Sequence, residues 1–259
     1  MLLPRVLTAL VGLPLILFLI YWGGFTFSLF VACIAALSLY EYGIILSLGH
    51  KPTQRLSTVV VGSALALCQA FNGPVALVFA GGVAAVVLRE MFSREKSLEK
   101  AALTLFGALL LGWMPAHLAL IRELHPGGRA LTFMLFSSIW AMDTAAYAVG
   151  QAWGRRALAP ELSPKKTWEG ALAAAITAVG VVLLFHAGFP DLLSWHKAVG
   201  IGFLVAVSGQ VSDLSQSMIK RAVGVKDSGT LLPGHGGVMD RFDSFILGAP
   251  AVYYGLILL

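Results

Sequence analysis

Charge is scarce in this sequence. Asp, Glu, Lys and Arg together make up 12% of the 259 residues, about half of the ~25% usual in soluble domains. So few charges cannot cover the surface of a soluble fold of this size. The hydrophobic set AVILMFWYC reaches 58%, and mean hydropathy is +0.84. The chain is therefore expected to lie mostly in lipid, as an all-α polytopic membrane protein. Cysteine is scarcer still. Cys33 and Cys68, each inside an apolar run, exclude a disulfide framework and a thiolate zinc site. No soluble basic domain, repeat, low-complexity tract or linker is present. The net charge of +5 thus speaks for topology and anionic headgroups, not for nucleic acid.

Apolar runs cover 5–22, 24–47, 56–71, 73–89, 101–121, 130–150, 168–189, 197–221 and 241–259, and a spanning helix needs about 20 such residues. About nine transmembrane helices are expected. The third and fourth runs are short, and form either tight hairpin helices or one re-entrant unit. The first run leads straight into another through Gly23 and Gly24, which predicts a retained helix rather than a cleaved signal. Of the 18 Lys and Arg residues, 15 gather at one set of run ends; Arg122, Arg129 and Lys197 mark the other. The positive-inside rule then places the N-terminus in the cytoplasm. A single integral membrane domain, 1–259, is expected, with N-terminal hydrophobic helices over 1–129 and a catalytic half over 130–259.

Polar residues are sparse in the first five runs. Glu41, between Tyr40 and Tyr42, is expected to snorkel within an interfacial aromatic cluster. Residues 89–100 mix both charges and suggest a solvated connector. The second half differs. Asp143 lies inside a run, where an acid is costly and marks function by default. Tyr147 and Gln151 follow on the same helical face. In 163–170, Ser163 as N-cap and Pro164 at the first helical position predict a helix start. Lys165 and Lys166 would then sit in its first turn, a placement that suits a bound phosphate. Asp213, Gln216 or Ser217, and Lys220 recur as one polar stripe, which must face protein or a water-filled cavity.

The connection 222–240 is denser. It holds five glycines, Gly224, Gly229, Gly234, Gly236 and Gly237, with Lys226, Asp227, Ser228, His235 and Asp240; Arg241 and Asp243 follow. Glycines allow backbone N–H groups to approach phosphate, and basic side chains add charge. Several aspartates beside them suit a hard cation such as Mg²⁺ rather than zinc. The sum is metal-assisted phosphate transfer on a lipid substrate. Neither the nucleotide nor the lipid is named by spacing alone. An ion-coupled transporter also places acids in spans, but should carry inverted repeats.

Residues 217–243 resemble the signature of the phosphatidate cytidylyltransferase (CDP-diacylglycerol synthase) family. The pattern runs Ser217-Met-Ile-Lys220-Arg221, then Lys226-Asp227-Ser228-Gly229, then Leu232-Pro233-Gly-His235-Gly236-Gly237-Val238-Met-Asp240-Arg241-Phe242-Asp243. Asp143-Thr144, Tyr147 and 163–170 look like further family segments. Ser212 stands where the family often has Gly, and Gln216 where an acid is frequent. The resemblance implies that CTP and phosphatidate give CDP-diacylglycerol and pyrophosphate in phospholipid biosynthesis. It also implies Mg²⁺, with a monovalent cation such as K⁺, and a homodimer. A bacterial inner membrane, with the site at the cytoplasmic face, is expected. On this reading Asp213 and Asp240 hold the metal, with Asp143 and Asp243 either as further ligands or as supports behind the ligands. Lys165, Lys166, Ser217, Lys220, Arg221, Lys226, Gly236, Gly237 and Arg241 would bind phosphate. His235 either protonates pyrophosphate or shapes the loop. A CTP-dependent polyprenol kinase would share this logic but phosphorylate a lipid alcohol.

Overall fold

The computed structural model describes residues 3–229, 231 and 236–259. It is mainly helical, and each of the nine apolar runs is occupied by helix. The elements are α1 (Leu3–Trp22), α2 (Gly24–Leu48), α3 (Arg55–Ala70), α4 (Val75–Met91) and α5 (Leu98–Gly107). A π-helical turn (Ala108–Trp113), α6 (His117–Glu123) and α7 (Gly128–Trp153) follow. A hairpin of β1 (Ala157–Ala159) and β2 (Ser163–Thr167) then leads to α8 (Trp168–Gly188), α9 (Trp195–Ala222) and α10 (Asp243–Leu258). Among the described residues, four stretches are long and apolar enough to cross a membrane: Gly24–Leu48, Leu98–Glu123, Trp168–Gly188 and Trp195–Ala222. Leu10–Trp22, Arg55–Ala70 and Asp243–Leu258 are shorter apolar helices. α7 is long, but it carries Ser137, Ser138, Asp143, Thr144 and Gln151. The architecture is that of an α-helical membrane protein.

The chain packs as two compact units. Unit 1 comprises Met1–Leu120 and Ile219–Phe242; unit 2 comprises Ile121–Met218 and Asp243–Leu259. The signature connection therefore packs with the N-terminal helices.

In unit 1, α3 packs on α2 and on the π-helical turn through small residues. A Cβ on Gly112 would meet the backbone of Gly62. Such close backbone approach is how helices associate where lipid removes the hydrophobic drive. Val61, Leu65, Val86, Ala101 and Ala108 form a core beside it. The hydroxyl of Tyr42 donates to the Leu103 carbonyl at 3.0 Å. The 89–100 connector is less solvated than its charges suggest. Glu90 is buried and accepts from Gln54 Nε2 at 2.8 Å and Ser97 N at 2.9 Å. Its carboxylate thus ties α4 to α3 and to the N-terminus of α5.

In unit 2, α8 buries Gly170, Ala174, Ala178 and Val182, one small residue per turn, while Leu172, Ile176 and Leu184 stay exposed. That stripe lies against α7, and the bulky residues are left for lipid. Ser212 of α9 is buried. Its hydroxyl donates to the Asp243 carbonyl and accepts from Leu247 N at 3.0 Å, which latches α10 onto α9.

One local expectation is overturned. Residues 163–167 form a strand, not a helix start; Ala157 pairs with Thr167 and Ala159 with Ser163. Proline pushes the residue before it toward extended backbone, and Thr167 is β-branched. The N-cap is Thr167, whose hydroxyl accepts from Gly170 N at 3.1 Å. Glu169 accepts from the N–H groups of Arg155 and Arg156, at 3.1 and 3.4 Å, and ties the hairpin to the first turn of α8. Lys165 and Lys166 precede that helix, so the dipole argument for a phosphate in its first turn does not apply.

Candidate active site

Unit 2 contains a cavity of about 650 Å³, within the range of small-molecule sites. α7 lines it with Asp143, Tyr147 and Gln151, one face at intervals of four residues. β2 adds Lys165 and Lys166, and Thr167 at the strand-to-helix corner. α9 adds Gly209, Gln210 and Asp213, and Asp243 comes from the start of α10. The Lys166 ammonium is paired with the Asp213 carboxylate, and both side chains are part-exposed. Gln210 donates to the Ala171 carbonyl at 3.2 Å. Three carboxylates and two lysines thus line one cavity. Such a lining suits a polyanion that arrives with its own cation.

The signature connection belongs to unit 1 and is organised around carboxylates. Asp240 Oδ1 accepts from Lys220 Nζ at 2.6 Å. Its Oδ2 accepts from Ser228 N at 2.8 Å, Ser228 Oγ at 2.9 Å and Gly237 N at 3.3 Å. Burial pushes the Asp240 carboxyl up. The Lys220 ammonium and the Ser228 donors outweigh that and hold it below the usual carboxylate range. Lys226, Arg221 and Arg241 are exposed; the Arg221 guanidinium donates to the Val225 carbonyl at 3.3 Å. Ser217 is half-buried in α9. Gly236 takes φ 82°, in the left-handed region that favours glycine. His235 lies outside the described residues.

Glu41 is a correction. It does not snorkel: it is 3% exposed. Oε1 accepts from Val238 N at 2.9 Å, and Oε2 from Met239 N at 2.9 Å and Ser228 Oγ at 3.0 Å. The sequence signal was present. Glu41 shares helical spacing with Ile34, Ser38, Tyr42 and Ile45, all buried on α2. The N–H groups of Ser228, Gly237, Val238 and Met239 therefore point at the protein's own carboxylates. Thr167 and Gln210 are polar residues of the cavity that spacing did not single out.

The four aspartates expected to hold metal divide. Asp143, Asp213 and Asp243 line the unit 2 cavity; Asp240 lies in unit 1 with both oxygens accepting from protein donors. Among the described residues no three His, Cys, Asp or Glu side chains converge into an ion cage. Mg²⁺ does not require one. It keeps several waters and is usually held by one or two carboxylates plus substrate phosphates. The oxygen-only donors of the cavity fit that chemistry.

The sequence matches the family model described as the Cytidylyltransferase family over residues 3–259. A phosphatidate cytidylyltransferase of Brucella suis is 33% identical over 253 residues, which covers 96% of this chain and 91% of that protein. One from Synechocystis is 30% identical over 288 residues, covering 98% and 96%. One from Bacillus subtilis is 40% identical over 138 residues, about half of each chain. Similarity thus extends beyond the signature into the N-terminal helices. With both units inside the matched range, the chain belongs to the cytidylyltransferase family.

Proposed function

We propose that the protein is a phosphatidate cytidylyltransferase, converting CTP and phosphatidate to CDP-diacylglycerol and pyrophosphate. The observation that carries the reading is the cavity lined by Asp143, Asp213, Asp243, Lys165 and Lys166, in a chain of this family. A phosphatidate phosphate oxygen attacks the α-phosphorus of CTP in line. The bond from that phosphorus to the bridging oxygen breaks, and pyrophosphate leaves with the electron pair. Phosphate monoesters are largely ionised at pH 7, so no strong base is needed. What remains is positioning and charge neutralisation.

Lys165 and Lys166 neutralise the triphosphate, Lys166 exchanging Asp213 for a phosphate oxygen. Asp143, Asp213 and Asp243 would hold Mg²⁺, which when bound supplies positive charge at the phosphoryl oxygens. Lys226, Arg221 and Arg241, exposed and cationic, bind phosphate. Lys220 acts through Asp240. Nine spans with a cytoplasmic N-terminus, a homodimer, and a bacterial inner membrane with the site facing the cytoplasm complete the reading. The test is CDP-diacylglycerol formation by detergent-purified protein given CTP, phosphatidate and Mg²⁺. Product is expected from wild type and not from Asp213→Asn. A folded wild type that forms none would overturn the assignment.

A further inference from the structure

The carboxylate of Glu41 reaches from α2 to a loop 187 to 198 residues away in sequence. It contacts the signature on both sides of its paired glycines: Ser228 before them, and Val238 and Met239 after them. We propose that Glu41 is a positioning residue for cytidylyl transfer, holding the signature loop in its working shape; this rests on the function proposed above.

Three observations converge on it. First, the bonds need acceptors on two sides. Oε1 takes Val238 N, while Oε2 takes Met239 N and the Ser228 hydroxyl. A glutamine offers one oxygen, so its amide must present a donor to a donor whichever way it is turned. Second, the loop is cut to fit this carboxylate. A Cβ on Gly237 would collide with the Ser228 hydroxyl and the Glu41 carboxylate, and one on Gly229 would lie 3.1 Å from Glu41 Oε1. Two signature glycines therefore make room for a residue outside the signature. Third, Ser228 Oγ lies 3.0 Å from Glu41 and 2.9 Å from Asp240. The hydroxyl, with one proton to donate, lies between the two carboxylates that together receive the described loop N–H groups of Ser228, Gly237, Val238 and Met239. An acid buried within an apolar helix is costly unless so compensated.

The test uses full-length wild type, Glu41→Gln, Glu41→Asp, Ser228→Ala and the Glu41→Gln/Ser228→Ala double variant, each in detergent. Steady-state CDP-diacylglycerol formation is measured beside amide exchange at Val238 and Met239, with α3 as the internal reference. Glu41→Gln should lower kcat by roughly 10- to 100-fold, the range seen when a group that orients metal ligands is lost. KM for CTP should rise by less than kcat falls, since the loop also carries Lys226 and Arg241. Exchange at Val238 and Met239 should rise while α3 stays protected. Glu41→Asp should recover part of the rate, and the double variant should fall short of additivity. If Glu41→Gln fails to fold, Ser228→Ala alone carries the same paired readout. Wild-type kcat, unchanged exchange at Val238 and Met239, or equal deprotection of α3 would overturn the proposal. So would tighter CTP binding, because the carboxylate would then be occupying a phosphate cradle. A wild type that makes no CDP-diacylglycerol would refute the function instead, and the exchange data would still decide whether Glu41 holds the loop.

Discussion

Asp240→Asn replaces a carboxylate that faces four donors, one of them the Ser228 hydroxyl, whose single proton is shared with Glu41. Lys220 donates to one oxygen; Ser228 N, Ser228 Oγ and Gly237 N face the other. The amide has one oxygen to offer. Turned toward Lys220, it sets its NH₂ against two backbone N–H groups. Turned the other way, it sets NH₂ against an ammonium. The pair is largely enclosed, with side chains 12% and 8% exposed. Removing one partner of a buried pair typically costs about 3–5 kcal/mol; with some solvent access the lower end, about 3 kcal/mol, is appropriate. At roughly 2–4 °C per kcal/mol, the apparent Tm in detergent should fall by about 6–12 °C, compared at one scan rate because unfolding of such proteins is a rate process. The pH dependence follows from the depressed Asp240 carboxyl. Its contribution is fully present above the ordinary carboxylate value near 4 and is lost as pH falls through its lower folded value. The gap between wild type and variant should therefore be flat from pH 8 to 5 and close only below about 4. A variant with wild-type Tm at pH 7, or a gap that closes near neutrality, would refute this account of the loop.

Asp213→Asn should abolish detectable turnover with little loss of Tm, since its partner Lys166 is part-exposed; a matching change in Mg²⁺ requirement in a metal titration is the accompanying check. Thr167→Ala removes the cap on Gly170 N and should lower stability by about 1 kcal/mol, read as a small Tm shift. Gly112→Ala would drive a methyl into the Gly62 backbone. Overpacking of this kind costs about 1–3 kcal/mol or more, so Tm should drop clearly, and an unaltered Tm would mean the helices can separate there at little cost.

Composition alone placed the chain in lipid, because 12% charge cannot solvate a fold of 259 residues. Apolar run length located the helices, since a span must satisfy its own backbone hydrogen bonds. The four-residue spacing of Asp143, Tyr147 and Gln151 already put them on one helical face, and they share one cavity. Local chemistry misled at 163–167. There Ser-Pro reads as a cap and first turn, yet pairing with 157–159 favours a strand and moves the cap to Thr167. The glycines of 222–240 were legible as a special loop, but not their use. Local sequence suggests that their N–H groups await phosphate; in the fold those of Ser228, Gly237, Val238 and Met239 meet Glu41 and Asp240. Nothing in the spacing between 41 and 228 could announce that contact. Helical periodicity reports which side of a helix is buried, whereas the partner waiting there is chosen by packing between segments far apart in the chain.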